Sequence, residues 1–218
     1  MLTELIEKTN TKKFYNDCDF YLESKSLITS EKKLELIVSI NQNSYDIPIE
    51  YEEWKVTCNG YIKSDNLDNK FFMPYVKMEI FDKHPVLWNF LDEKFECYIK
   101  GIPNNIKEFY GELSIELDKH TGNWIKLTDL FWNLDNIFKQ SQKKYKEIPE
   151  SLLSVIKKVC EDFDLKFEIE KQIHRQESAL HNESAKLLIF GNEDVSPNTF
   201  YLQQPYIIAT SFEAHRVK

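Results

Sequence analysis

Residues 34–51 read LELIVSINQNSYDIPIEY, and this stretch carries the clearest structural pattern in the chain. Apolar side chains alternate with Glu35 and Ser39 in its first half, and the alternation resumes against acidic residues from Tyr45 onward. A period of two places successive side chains on opposite faces of a β-strand. The polar residues between the two halves, at 41–44, are typical of a turn. The stretch therefore predicts an antiparallel β-hairpin with one face in a core.

More of the first two-thirds of the chain has the same alternating character. The further strands predicted there are Tyr75–Phe81, Phe95–Ile99 and Gly111–Asp118. In the last of these, three apolar side chains would share one face, and Gly111 would mark a bulge at its start. Strands with one apolar and one polar face are typical of antiparallel sheets, so we expect antiparallel pairing here.

Helical spacing of apolar residues occurs in three places. A short amphipathic helix is predicted over residues 1–9, and another is predicted to begin at Thr128 and Asp129, because these residue types favour the start of a helix. The third helix is predicted to begin at Pro149 and to bury a stripe from Leu152 to Phe163.

Short strands are predicted after the third helix, at Leu165–Ile169, Leu187–Phe190, Thr199–Leu202 and Tyr206–Ala209. The predicted fold class is therefore α+β. It consists mainly of antiparallel sheet with a few packed helices in the first two-thirds, and of a helix with short strands at the C-terminus.

The composition predicts a division into two parts. Residues 1–138 would form an aromatic-rich antiparallel β domain with short helices, and residues 148–218 would form a smaller α+β segment. The lysine-rich stretch 139–147 is interpreted as a linker between them. The alternative is that both parts pack as one continuous domain, which a length of 218 residues also allows.

Glycine scarcity excludes several common kinds of site. The chain has five glycines, at positions 60, 101, 111, 122 and 191, whereas average usage would give roughly fifteen. Loops that hold phosphate or dinucleotides need paired or closely spaced glycines, because the backbone must turn tightly against the ligand. The glycine–serine pattern of a lipase-type nucleophile elbow is also missing.

The charge balance favours a basic protein partner over nucleic acid. The formal net charge is −8, and Arg175 and Arg216 are the only arginines among 28 basic residues. Arginine supplies the bidentate contacts that recognise phosphate and guanine, so an acidic chain with two arginines is a poor nucleic-acid binder. An acidic surface would instead steer a basic protein towards it.

The cysteine pattern and the hydropathy predict a cytoplasmic protein with no membrane association. The four cysteines are well separated, with no Cys-x-x-Cys pair, and Cys58 and Cys97 lie in apolar segments where buried, reduced thiols are usual. The first residues lack the apolar core of a signal peptide, and no stretch approaches 18 consecutive apolar residues.

Tryptophans are the candidate binding residues. Large aromatic side chains anchor many protein interfaces when they are exposed, and they fill cores when they are not. We therefore take as candidate interface anchors Trp54, Trp88, Trp124 and Trp132. The alternative is that they belong to an aromatic-rich core.

One set of residues has the chemistry of a metal site. If residues 172–186 were helical, spacings of three and seven would place His174, Glu177 and His181 on one face. Two imidazoles and a carboxylate are common ligands of zinc and other divalent metals, with a further position left to water. The alternative interpretation is a solvated polar helix face without a cofactor.

These observations favour an acidic protein that binds another protein by surface complementarity, without turnover. Immunity proteins, defence accessory subunits and regulatory proteins work in this way, and their relation to this chain is an analogy. Two alternatives stay open at this point. One is a metal-assisted hydrolase that uses the His/Glu/His face, and the other is a sensor that holds a small apolar ligand among the aromatic side chains. The oligomeric state is not determined by the sequence.

Overall fold

The computed structural model describes residues 2–11, 18–42, 51–67, 72–74, 77–122, 124–130, 142–174, 182–191 and 204–218. Within these residues it contains helices and three antiparallel sheets, which confirms the predicted α+β class. The described residues fall into two units. Unit 1 contains those up to Lys83 and those from Ser184 onward, and unit 2 contains those from His84 to Glu183.

Unit 1 contains one helix and two sheets. Its elements are helix α1 (Leu2–Thr9) and strands β1 (Cys18–Ile28), β2 (Lys33–Gln42), β3 (Tyr51–Asn59), β4 (Lys63–Asp65), β5 (Phe72–Pro74), β6 (Lys77–Phe81), β10 (Lys186–Gly191), β11 (Tyr206–Ala209) and β12 (Ser211–Arg216). Sheet A has the strand order β12-β3-β2-β1-β5, and sheet B has the order β4-β11-β10-β6.

The alternating stretch that opens the predicted hairpin forms β2, and β2 pairs antiparallel with β3. Strand β3 begins at Tyr51, where the predicted second strand ends, and the rest of that predicted strand lies outside the described residues. Asn41 lies opposite Tyr51 in this ladder, and residues 43–50 between the strands are outside the described residues. Every second side chain of β2 from Leu34 to Ile40 is buried, which is the pattern expected of a strand with one face in a core.

The two sheets of unit 1 share one hydrophobic core. It joins Trp54 and Val56 of sheet A with Leu188 and Ile207 of sheet B, and Leu5 of α1 closes it at one side. All four residues of β11, and Leu187–Phe190 of β10, are buried, so both faces of these strands are shielded from water. Unit 1 is therefore a β-sandwich with a short amphipathic helix packed against β6 and β12.

The chain passes from sheet B to sheet A at Thr210, between β11 and β12, and this passage lies against Gly60. The Thr210 hydroxyl donates to the Asn59 carbonyl at 2.9 Å. Gly60 has φ +59°, and a Cβ built on it would lie 2.3 Å from Thr210 Oγ1. Both the left-handed backbone and the close approach therefore require glycine at this position.

Gly60→Ala is expected to destabilise unit 1, because alanine would adopt a strained backbone and collide with a hydrogen-bonded threonine. We expect a loss of about 1–3 kcal/mol in the free energy of unfolding, measured by urea denaturation. The matched control is Gly111→Ala, at an exposed helical glycine where a Cβ would meet nothing within 4 Å. That substitution should stabilise the protein by about 0.5–1 kcal/mol, and a loss at both sites would contradict the assignment.

A carboxylate lies on the core-facing side of sheet A. Glu52 of β3 is buried, and its Oε2 accepts a 3.0 Å hydrogen bond from the Trp54 indole. Its Oε1 accepts from the Lys8 ammonium of α1 and lies 3.4 Å from Arg216 Nη1 of β12. Burial alone would raise the pKa of Glu52, but these contacts outweigh it and lower the pKa.

Glu52→Gln should destabilise unit 1 by about 1–3 kcal/mol at neutral pH, since the two cations would lose their shared carboxylate. The folded-state pKa of Glu52 is lowered, so its stabilising contribution is present above the ordinary value of 4.5 and is lost as pH falls through the folded-state value. Urea unfolding of both proteins at several pH values should show the difference shrinking below pH 4.5. A constant difference would show that the charge of Glu52 is not responsible.

Unit 2 packs helices on one face of a three-stranded sheet. Its elements are α2 (Trp88–Leu91), β7 (Lys94–Lys100), α3 (Ile106–Thr121), α4 (Leu127–Leu130), β8 (Gln142–Pro149), α5 (Glu150–Asp162) and β9 (Lys166–Ile173). Sheet C has the order β8-β7-β9, with both pairings antiparallel. Its core joins Ile99 of β7 with Phe109 and Leu113 of α3 and with Ile156 of α5.

The predicted strand Gly111–Asp118 is wrong, because these residues belong to helix α3. Leu113 and Leu117 are buried four residues apart, whereas Ile115 between them is 49% exposed. Leu113 and Leu117 fit a helix whose core face recurs every three or four residues, and Ile115 lies off that face. Asn105 accepts from the backbone of the first turn, so the helix begins before Gly111 and includes it.

One prediction about the later chain is also wrong, and one strand there was not predicted. The lysine-rich stretch interpreted as a linker forms strand β8 from Gln142 to Pro149, because it pairs with β7 and buries Tyr145 and Ile148. The last residues contain a strand that the sequence analysis did not predict, β12, which pairs with β3. The helix at 1–9 and the strand Tyr206–Ala209 are confirmed.

The division of the chain differs from the predicted boundary between residues 138 and 148. Strands β10, β11 and β12 lie in unit 1 with the first part of the chain, because β10 pairs with β6 and β12 pairs with β3. Long-range strand pairing of this kind leaves no local sequence signal. Among the described residues, no helix is both long and apolar enough to cross a membrane.

Candidate protein-binding surface

The face of sheet A that points away from the core carries a cluster of aromatic and acidic side chains. Strand pairing brings it together: Tyr21 of β1 lies opposite Ser39 of β2, and Ser39 lies opposite Glu53 of β3. Tyr51 is two residues before Glu53 and shares its face. Directly paired residues place their side chains on the same face of a sheet. These residues, together with Glu23, form what we name the tyrosine patch.

Glu23 enters the patch through an irregularity in β1. The ladder between β1 and β2 shifts register between Leu22 and Ser24, which leaves Glu23 without an opposite residue. Such bulges redirect a side chain. Here the Glu23 carboxylate accepts a hydrogen bond from the hydroxyl of Ser39, which is fully buried on this face.

Tyr51 is the exposed aromatic residue of the patch, with 39% of its surface accessible. Its hydroxyl donates to Glu53 Oε2 at 3.0 Å. This hydrogen bond raises the pKa of Tyr51 above its ordinary value, and burial and the negative charges of Glu53 and Glu23 act in the same direction. The carboxylates of Glu53 and Glu23 near the Tyr51 ring would favour a cation at this place and disfavour a phenolate.

A cation of the chain itself already lies on this patch. The Lys218 ammonium is 5.4 Å from the centre of the Tyr51 ring. The backbone holds it there, because the Glu53 amide donates to the Lys218 carbonyl at 3.1 Å and the Val217 amide donates to the Glu53 carbonyl at 2.7 Å. A lysine at this distance from an aromatic face makes a favourable cation–π contact.

Tyr51 should titrate above the ordinary tyrosine pKa of 10.0, and Glu53→Gln should lower its pKa towards that value. The substitution removes the carboxylate that accepts the hydroxyl proton and its charge. The measurement is an NMR titration of the Tyr51 ring carbon, assigned with Tyr51→Phe. The control is Glu213→Gln on exposed β12, which should leave the Tyr51 pKa unchanged. A wild-type Tyr51 that titrates at or below 10.0 would contradict the described hydrogen bond.

The candidate tryptophan anchors occupy different environments. Trp54 is 2% exposed and belongs to the core of unit 1, so it is not a surface anchor in this fold. Trp88 and Trp124 of unit 2 are half-buried, with their rings 5.5 Å from His120 and 4.9 Å from His84, respectively. Trp132 lies outside the described residues.

Only one of the three proposed metal ligands lies among the described residues. His174 is exposed and directly follows strand β9, so the helix assumed over residues 172–186 is wrong at its start. Glu177 and His181 lie outside the described residues. Within the part of the chain that the structure describes, no group of three His, Cys, Asp or Glu side chains is placed to hold a metal ion.

Burial determines the state of several reactive side chains. It raises the pKa of the Cys58 thiol to about 12 and, as the largest cause, that of Cys160 to about 12. It also raises the pKa of Cys97 to about 11. Burial lowers the pKa of His84 to about 4, and His84 Nδ1 accepts a hydrogen bond from the Val86 amide at 3.2 Å. These groups are uncharged near neutral pH and act there as packing groups.

Lys94 is a buried cation that the sequence analysis did not single out. It is 3% exposed at the start of β7, and its ammonium donates to Asn89 Oδ1 at 3.0 Å. Burial lowers the pKa of Lys94 to about 8, against the charges of Asp92 and Glu147. No pattern in the neighbouring sequence distinguishes it from the other lysines, because its burial results from the packing of unit 2.

The residues of the tyrosine patch were also missed by sequence reasoning. Tyr51 was assigned only to a strand, and Tyr21, Glu23 and Glu53 were not considered together. The alternation correctly puts Ser39 on the polar side of the sheet. It groups Tyr51 with Ile47 and Ile49 as apolar and therefore predicts the wrong face for it, because Tyr51 is exposed and the neighbouring Glu52 is buried. The contribution of Lys218 depends on β12, which no local pattern predicted.

Comparison with known proteins gives no relative from which a function could be transferred. No family model matches the chain, and neither a curated protein nor a solved structure matches it. The functional argument therefore rests on the geometry of the described residues.

Proposed function

We propose that this protein binds a basic protein partner through the tyrosine patch and acts by surface complementarity, without turnover. One observation carries the proposal: a lysine ammonium lies 5.4 Å from the Tyr51 ring centre, on a face that also holds Glu53 and Glu23. We take the contact between the Lys218 ammonium and the Tyr51 ring as an example of how a lysine or arginine of a partner would bind.

The chemistry of the patch suits a cationic side chain. An aromatic face attracts an ammonium or guanidinium group, and neighbouring carboxylates add a Coulombic attraction. The formal net charge of −8 would accelerate the approach of a basic partner from a distance. Buried Ser39 holds the Glu23 carboxylate in place, so part of the acceptor geometry exists before binding.

A cytoplasmic location without membrane or nucleic-acid contact is part of the same proposal. Its support is the acidic, arginine-poor composition and the burial of Cys58, Cys97 and Cys160 as free thiols. The hydrolase alternative stays a prediction from the sequence, since two of the three suggested metal ligands lie outside the described residues. The ligand-sensor alternative also stays a prediction from the sequence.

The proposal predicts that a lysine-rich probe binds at the patch. The probe is a hexalysine peptide with blocked termini, titrated into isotope-labelled protein at low salt and followed by NMR. The amide signals of Tyr51, Glu53 and Lys218 should shift together and saturably. Tyr51→Ala and Glu53→Gln should each weaken binding about three- to tenfold, whereas Tyr51→Phe retains the ring and should retain most of the affinity.

The control variant is Glu161→Gln, which makes the same charge change at an exposed residue of α5 in unit 2. It should leave the affinity for hexalysine unchanged. If Glu161→Gln weakens binding as much as Glu53→Gln does, the peptide responds only to net charge and the proposed patch is wrong. Shifts distributed over the whole surface would lead to the same conclusion.

A further inference from the structure

Helix α3 of unit 2 presents an exposed outer face on the side away from the described core of this unit. Gly111 and Ile115 lie one turn apart at the centre of this face, opposite the buried Phe109, Leu113 and Leu117. Ile115 is 49% exposed, and a Cβ built on Gly111 would meet nothing within 4 Å. The face therefore has an apolar side chain beside open space at Gly111.

Gly111 has no role within the described chain that explains a glycine there. Its φ is not positive, unlike that of Gly60, Gly101 and Gly122. Glycine inside a helix costs about 1 kcal/mol relative to alanine. Glycine on a helix surface does, however, allow a second helix to approach closely.

Four of the charged residues around this centre are arranged in two pairs, and a fifth, Glu112, lies further round the helix on the side of Lys119. Lys107 and Asp118 are eleven residues apart, which is about three helical turns, so they lie on the same side of the Gly111–Ile115 line. Glu108 and Lys119 have the same separation and lie on the other side. Each pair thus has one positive and one negative group, at opposite ends of the helix.

We propose that α3 pairs in antiparallel orientation with α3 of a second copy of this chain. A two-fold axis perpendicular to the helix relates the two copies. Each residue of one copy then lies opposite the residue of the other copy that is equally far from the axis in the other direction along the helix, and both lie on the same side of the contact line. The midpoints of the apolar pair and of both charged pairs fall at position 113 or within half a residue of it. One axis therefore satisfies all three pairs at once.

The resulting contacts are complementary in shape and in charge. Ile115 of each copy packs into the space beside Gly111 of the other. Lys107 meets Asp118 of the second copy on one side, and Glu108 meets Lys119 on the other. In each copy Lys119 Nζ lies 2.6 Å from Glu116 Oε1, an exposed contact that can exchange at little cost.

The charge pattern selects a second copy over an unrelated basic partner. A basic partner would match Glu108 and Asp118 but would be repelled by Lys107 and Lys119. The antiparallel second copy matches all four. A helix of 16 residues is about 24 Å long, and one such helix pair buries less area than a standard interface. The dimer should accordingly be reversible, with a Kd on the order of 10–100 µM.

The test is sedimentation equilibrium of the full chain over a concentration range that spans this Kd. Lys107→Glu and Asp118→Lys should each raise the Kd at least about tenfold, because each places like charges together at two symmetric positions. An equimolar mixture of the two variants should form a heterodimer with a Kd within about threefold of the wild-type value, since opposite charges then face each other. Rescue by mixing cannot arise from misfolding of either variant.

The apolar contact has its own pair of variants. Ile115→Ala should weaken the dimer about tenfold, whereas Ile169→Ala removes an equally exposed isoleucine from β9 and should leave the Kd unchanged. A protein that stays monomeric throughout the concentration range would overturn the proposal. A dimer that is insensitive to Lys107→Glu and to Ile115→Ala would overturn it as well, and so would a mixture without heterodimer.

Discussion

The pairing of β12 with β3 is the interaction on which unit 1 depends. It adds the fifth strand to sheet A and brings Ala214 into the shared core. It also brings Arg216 to the buried Glu52 carboxylate and holds Lys218 over the Tyr51 ring. One ladder between segments more than 150 residues apart in sequence therefore supports the core, the ion pair of the buried Glu52 and the proposed binding surface. Without it, β3 would be an exposed edge strand.

The two faces of β3 show how one strand can serve stability and binding together. Glu52 and Trp54 point inward, where the carboxylate is neutralised by cations and the indole donates to it. Tyr51 and Glu53 point outward and form the tyrosine patch. Because successive side chains alternate, a register shift of one residue would exchange these roles and bury the wrong set.

Helices and strands could be predicted from the sequence where the local pattern of apolar residues fits only one of the two. The β2 alternation, the amphipathic helix at Leu2–Thr9 and the helix that begins at Glu150 after Pro149 all follow from periodicity and from residue preferences at helix starts. Helix α3 was missed because the exposed Ile115 lies between Leu113 and Leu117 in sequence and completes a period of two, whereas the helical stripe contains only the two leucines. Strand β8 was missed because its lysines are typical of a solvated linker, although Tyr145 and Ile148 of the same segment are buried.

The sequence by itself determined the α+β class, the acidic, arginine-poor character of the chain and the lack of glycine-built phosphate sites. Only the tertiary structure decided which tryptophan is buried, which strands join the two ends of the chain and which tyrosine meets Lys218. The physical reason is the range of the interactions. Periodicity and residue preferences act within one element, whereas ladders, cores and charge clusters join residues whose distance along the chain carries no signal.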